Sequence, residues 1–390
     1  MRDRRPLLLG AFLLLCLLTA VPAGAAEPGG GVVEGLLARL ELGELEAFTR
    51  EVGEEVRPYL PEMSLRQILA NLQAGKPVLD PLSLPAALGR IFWGEVLANA
   101  KVMGQLLILA VLAAVLYNLQ AAFERRTVGE LAHLVVLLAL VVLAVGSFSV
   151  AMQTAREAVD RMSSFMQALL PVLLTLMTAM GGLASAAVLH PLVLGSLALG
   201  GTLVKDVVLP LLYFAAVLNI VGRLSERFPI SRLADLFKTL SGVSLGLFVT
   251  LAVGILAVHG VAAGAADSLT LRTAKFASTA FVPVIGKTLT DAVEAVAGAS
   301  LLVKNAVGLL GLLVLMGIAL FPAVKIAVLA LIYHLTAALV QPFGDARISD
   351  TLQAMGGTLG LAFAAVVAVA LFFFLALAVV VGVGSLTALW

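Results

Sequence analysis

The chain has 390 residues, of which 61% are hydrophobic and 13% charged, with a formal net charge of +1. Soluble domains carry about 25% charged residues, so half the charge that would coat a globule is missing, and the apolar residues come in long runs. These figures set aside a soluble domain, a fibrous or disordered chain and a nucleic-acid binder with a basic stripe, and they predict an all-α, polytopic integral membrane helix bundle.

Residues 1–25 read as a secretory signal peptide. Arg2, Arg4 and Arg5 precede the apolar run 7–21, and Pro22, Ala23, Gly24 and Ala25 supply a small-residue cleavage site before Ala26. A retained first transmembrane helix is the rival reading of that run. The only cysteine, Cys16, lies inside it, so the processed chain is expected to carry no disulfide, thiolate metal site or cysteine nucleophile.

Cleavage places residues 26–100 outside the cytoplasm. There Val32, Leu36, Leu37, Leu40, Leu42 and Leu45 interleave with Glu34, Arg39, Glu41 and Glu44 in a helical pattern. Pro58, Pro61, Pro77, Pro81 and Pro85 then cut the chain into short pieces. So short a region makes a marginal core by itself, which predicts a helical lid against the membrane domain or a surface for a partner.

Residues 101–390 form the membrane domain. Apolar windows of about 20 residues, each enough for a ~30 Å hydrocarbon core, recur near 102–120, 131–151, 165–189, 207–222, 240–264, 306–321, 323–341 and 357–388. Seven or eight helical spans are therefore expected, because backbone groups in lipid must be satisfied within the segment. Polar stops are expected at Glu124-Arg125-Arg126, 156–161, 223–238 and 272–287, with forced hairpins at 123–130 and around Phe321 and Pro322. The basic stretches 223–238 and 272–304 fall on opposite sides of a single span, so the positive-inside rule fixes no orientation beyond an outside N-terminus.

An internal repeat, 163–264 and 274–388, is also predicted. Setting Pro171-Val172 over Pro283-Val284 aligns Thr178 with Thr290, Ala187 with Ala299 and Leu189 with Leu301. Leu211-Leu212-Tyr213 is then answered by Leu331-Ile332-Tyr333, Ile230-Ser231 by Ile348-Ser349, and the pair Gly242 and Gly246 by Gly356 and Gly360. Paired repeats are a common build for transporters, with the pathway at their interface. The four glycines, each pair at i, i+4, are candidates for close helix packing.

Ionisable groups inside apolar runs each need an account, since one in the bilayer costs at least ~2.5 kcal/mol. Lys205 and Asp206 mark either a break at a bilayer surface or a broken helix whose charges face a pathway. Lys304 reads as interfacial, its stem snorkelling outward. Lys287, Asp291 and Glu294, at i, i+4 and i+7 with Thr290 beside them, share one helix face. That face lines a conduit if the helix spans, and lies at the interface if it is merely amphipathic.

No enzyme signal survives. Gly242, Ser244 and Gly246 match GxSxG but open a helix rather than a strand-turn-helix, and His259 lies further along the same helix. Gly286-Lys287-Thr288 resembles the tail of a phosphate loop, but Phe281 stands where its first glycine belongs. His133, His190, His259 and His334 are scattered singly. No catalytic residue, cofactor or metal site is predicted, and nothing in the chain would hydrolyse nucleotide.

The runs LTLRTAKF (269–276), FVPVIG (281–286), ASLLVKN (299–305) and QPFGD (341–345) resemble the stage III sporulation protein AE family of endospore-forming bacteria. The layout of signal sequence, short exported region and multi-span domain is similar as well. The resemblance is specific over 269–345 and compositional before residue 160. It implies a subunit in the mother-cell membrane around the forespore, working with other stage III sporulation proteins that include a separate ATPase. The complex would form a channel-like apparatus needed for late forespore development, with a small-molecule cargo that the sequence does not identify. A self-contained secondary transporter of a small solute and a purely architectural membrane anchor are the competing expectations.

Overall fold

A computed structural model describes residues 30–38, 40, 43–56, 64–76, 78, 84–122, 126–224, 230, 232–256, 285–343 and 346–382. Among these, every regular element is helical. The expected signal peptide and the connection 257–284 lie outside the described residues.

Four helices precede the first long apolar one: α1 (Gly30–Leu37), α2 (Gly43–Val56), α3 (Leu65–Gln73) and α4 (Leu84–Ala98). Ser64 caps α3 by accepting a hydrogen bond from the Gln67 amide at 3.3 Å. Gly75, at φ +62°, ends it, with Gly75 and Lys76 amides bonding back to Leu72 and Asn71 carbonyls. All four helices pack against the membrane helices, and Val33, Leu45, Val52, Ile68 and Leu69 enter the same apolar core. These four helices lie on the bundle's flank.

The bundle itself consists of α5 (Ala100–Ala122), α6 (Arg126–Ala179), α7 (Leu183–Leu203), a π-turn (Val204–Val208), α8 (Leu209–Leu224), α9 (Arg232–Leu256), α10 (Ile285–Val340) and α11 (Ala346–Gly382). Among the described residues, five helical stretches are long and apolar enough to cross a membrane, or six if α4 and α5, bent by 47° at Asn99, count as one broken span. The seven or eight spans expected are not all matched one to one by these stretches.

The difference has two places and one cause. The polar stretch 156–161 sits in the middle of α6, which runs unbroken for 54 residues. Likewise α10 runs for 56 residues straight through Pro322, where a hairpin was expected. Polarity does not end a helix: Ala, Met, Gln, Arg and Glu are all good helix formers, and they dominate 151–157. A proline forfeits one backbone bond, but packing on both sides of Pro322 holds the axis.

The chain reverses after Ala179, inside the span predicted at 165–189. Gly181 takes φ +89°, the Gly182 amide bonds to Met177 O at 3.0 Å, and the Gly181 amide bonds to Thr178 O at 3.0 Å. This pattern needs a residue in the left-handed region, hence glycine. The turn separates the two aligned segments of the predicted repeat: the chain reverses soon after Thr178, whereas α10 continues past Thr290.

Side-chain contacts fix the register of the long helices. Ser147 of α6 meets Tyr333 of α10, and Leu169 of α6 lies against Gly311 of α10, so the two helices are antiparallel. Gly308 and Gly311 face Val381 and Leu377 of α11, and His334 faces Gly356, so α11 returns alongside α10. Tyr213 of α8 reaches Phe148 of α6, and Phe248 of α9 packs on Phe372 of α11 at 5.2 Å. α6, α10 and α11 thus form the centre, with buried apolar side chains along their whole shared length.

A charged layer on the middle of the bundle

At about 1.5 Å per residue, α6 is roughly 80 Å long, and a ~30 Å hydrocarbon core can hold only about 20 of its residues. The charge on α6 is concentrated between its two apolar halves: Arg156, Glu157, Asp160 and Arg161. Arg156 and Asp160, one turn apart, share a face. That face meets the π-turn.

Lys205 donates to Asp160 Oδ1 at 2.7 Å, and Arg156 faces Asp206 Oδ1 at 3.5 Å. The two consecutive residues of the π-turn therefore grip two residues one turn apart, with the sign reversed between the pairs. The local sequence accounts for the widened turn. Pro210 has no amide to offer the Asp206 carbonyl and crowds it, and Leu209 bonds instead to Val204 O, five residues back. Upstream, Gly201 lets α7 approach Ser163: a Cβ there would come within 2.7 Å of Ser163 Oγ.

The N-terminal helices close on the same part of α6. Arg161 donates to Glu51 Oε1 at 2.9 Å, and Phe48 of α2 meets Phe165 edge-on at 5.6 Å. Gln153 donates to Glu157 Oε1 at 2.8 Å. The pairs are half-exposed, with Asp160 at 49%, Asp206 at 48% and Lys205 at 30% of full side-chain exposure. Such pairs contribute ~0.2–1 kcal/mol each, so the layer orients helices and presents ionic groups more than it stabilises them.

Two further polar features lie in the apolar interior. Tyr333 is fully buried and donates to the Ala144 carbonyl at 2.6 Å, with Ser147 Oγ also at 2.6 Å from its hydroxyl. Lys304, expected to snorkel, is instead fully buried on the inner face of α10, with Ser300 buried one turn before it and Gly308 one turn after. Snorkelling needs a helix end at the surface, and α10 extends far beyond Lys304 in both directions.

Of the candidate residues read from the sequence, Lys205 and Asp206 are brought together with Asp160 and Arg156. The side chains of Lys287, Thr290, Asp291 and Glu294 lie outside the described residues, although their backbone belongs to α10. Gly356 receives the His334 ring, 3.0 Å from where its Cβ would be, and His334 Nδ1 is 3.1 Å from Gln353 Oε1. Among the described residues, Gly242, Gly246 and Gly360 have no neighbouring atom within 4 Å of such a Cβ. The close approaches are made by Gly200, Gly201, Gly308 and Gly311. Sequence reasoning passed over Arg156 and Asp160, which it took for a stop. Their i, i+4 spacing and the Lys205-Asp206 doublet just before Pro210 were the available signals.

The family model for stage III sporulation protein AE matches residues 63–384. The stage III sporulation protein AE of Bacillus subtilis (strain 168) is 38% identical over 362 residues, covering 93% of this chain and 90% of the relative. No solved structure matches the chain.

Proposed function

The chain belongs to the stage III sporulation protein AE family, and on that premise we propose that it is a multi-span membrane subunit of a sporulation-specific channel or transport complex between mother cell and forespore, required for forespore development. The observation that carries the transport part of this reading is the charged layer. Arg156 and Asp160 sit between the two apolar halves of α6, Lys205 and Asp206 sit in the π-turn between α7 and α8, and all four keep about a third to a half of their side-chain surface accessible. Ionic groups in such surroundings are retained where they meet water, protein or cargo.

In this reading the subunit is not an enzyme. It gates or lines a conduit, and a separate ATPase among the other stage III sporulation proteins supplies the energy. Small-molecule cargo passes that conduit. The protein resides in the mother-cell membrane facing the forespore, with residues 26–100 exported after signal cleavage.

Deleting the gene in its spore-forming host is expected to abolish heat-resistant spores and leave vegetative growth unchanged. Replacing Lys205 and Asp206 together by Met and Asn is expected to reproduce that defect at normal protein level. Full sporulation of the deletion strain contradicts the reading; full sporulation of the double variant removes the layer from it and leaves an architectural anchor. The reciprocal ion pairs also favour a second reading, a self-contained transporter of a small ionic solute. Uptake of a solute by the purified chain in liposomes, with no partner present, would establish that one instead.

A further inference from the structure

The exposed face of α6 changes character along the helix. Up to Val150 it displays Leu131, Leu134, Val135, Leu138, Val142 and Val150. Between Gln153 and Ala179, among the described residues, no exposed position of α6 holds Val, Leu, Ile, Met or Phe. Gln153, Glu157, Ser164, Gln167 and Thr175 are exposed there instead, at i, i+4, i+11, i+14 and i+22, all on one face of the helix. The same stretch buries Met162, Phe165, Met166, Leu169, Leu170 and Leu173 on its other side. A helix turned towards lipid shows the reverse, because an amide left without a hydrogen bond in hydrocarbon costs about 2–7 kcal/mol.

The surroundings of this stripe are polar as well. On one side α2 lies against Arg161 and Phe165, and exposes Glu44, Glu46, Arg50, Glu51 and Glu54, a density of charge that needs water or ionic partners beside it. On the other side stand α7 and the π-turn, where the half-exposed pairs Arg156–Asp206 and Lys205–Asp160 open onto the same flank. At this height α9 is clothed differently. Phe248 lies against Gly200 while the next residue of α7, Gly201, lies against Ser163, so Phe248 is level with Ser163 of α6. Around it Leu240, Val243, Leu247 and Leu251 are 48%, 61%, 58% and 56% exposed along one face. Each of these would forfeit about 1.5–3 kcal/mol if left in water, and a contiguous patch of that kind marks a membrane or protein contact. The bundle is therefore polar on one flank and apolar on the other at a single height, wherever along its axis the bilayer lies.

We infer that α2, the α6 stripe and the π-turn form the wetted flank of the molecule, with Gln153, Glu157, Ser164, Gln167 and Thr175 bounding an aqueous space, and that α9 stands on the side shielded from water. A hydrophilic solute reaches the ion pairs along this flank, past the hydroxyl and amide groups of α6. The solute path rests on the transport reading proposed above; the wetting of the flank does not.

The test uses the full chain with Cys16→Ser as background, in membranes of the sporulating host broken open so that a hydrophilic methanethiosulfonate reaches both faces. Ser164→Cys and Gln167→Cys report on the α6 stripe, and Leu247→Cys and Leu251→Cys on α9 at the same height; all four positions are exposed. Positions 164 and 167 are expected to be modified, and 247 and 251 to stay unmodified until the protein is denatured in sodium dodecyl sulfate. Modification at 247 or 251 in the native membranes, or none at 164 and 167, overturns the wetted flank. For the solute path, Ser164→Leu combined with Gln167→Leu, at normal protein level, is expected to lower the yield of heat-resistant spores. An unchanged yield from that variant, in a host whose deletion strain makes no such spores, removes the path from this flank and leaves the proposed function standing.

Discussion

Single residues carry distinct tasks that burial and spacing separate. Tyr333 brings a hydroxyl into the centre of the bundle and satisfies it on Ala144 and Ser147 of α6. Tyr333→Phe keeps the ring and removes that tie, and it is expected to destabilise the protein by about 1 kcal/mol, read as a lower thermal midpoint in detergent; an unchanged midpoint would show that the bond contributes nothing. The glycines give a paired case. A methyl at Gly200 would come within 2.5 Å of the Phe248 ring, a rigid neighbour, whereas one at Gly242 meets nothing within 4 Å. Gly200→Ala is therefore expected to destabilise by about 1–3 kcal/mol, and Gly242→Ala to be neutral or to gain up to about 1 kcal/mol from helix propensity. Equal loss at both positions would mean that Gly242 already packs against a helix of another chain. The sequence pattern singled out Gly242 and Gly246 by their spacing, but spacing does not say which face of a helix meets a neighbour.

Elements explain why the span pattern was only partly legible. Apolar windows identified the long apolar helices that are candidate spans, and α5 and α6 are separated at the short basic connection. The windows could not tell a polar interruption that turns the chain from one that a helix carries through. At 156–161 every residue favours or tolerates helix and the charges find partners on α2 and the π-turn, so α6 continues. At Gly181 the backbone itself demands a left-handed residue, and the chain turns. The π-turn was hidden for the same reason: its cause is a contact with α6 that lies 45 residues away in the chain, together with the missing amide of Pro210. A double-mutant cycle on Asp160→Asn and Lys205→Gln measures that contact. A coupling of about 0.5–1 kcal/mol is expected for a half-exposed pair, and strict additivity would show that the two side chains do not act together.

At the scale of the whole molecule, helices of 54 and 56 residues exceed any bilayer, so the protein must have a membrane-embedded part and a part that stands in water. The helices of residues 30–98 are not a separate domain tethered to this structure. They share the apolar core of α6 and α10. The family relation was readable from short motifs in 269–345, several of which fall in the connection before α10, while the charged layer, the candidate site, was visible in the sequence only as Lys205 and Asp206 without their partners. Long-range pairing of this kind is what a linear reading misses.

The central claim is that α6 runs as one unbroken helix through a charged layer that meets water, rather than as two spans joined by a polar turn. Site-directed spin labels along α6 in lipid nanodiscs test it most directly. Labels at Gln153 and Glu157 are expected to collide with a water-soluble nickel chelate, with helical periodicity maintained from Leu134 to Gln167. Oxygen rather than nickel accessibility at Gln153 and Glu157, or a loss of periodicity between 153 and 164, would contradict the account.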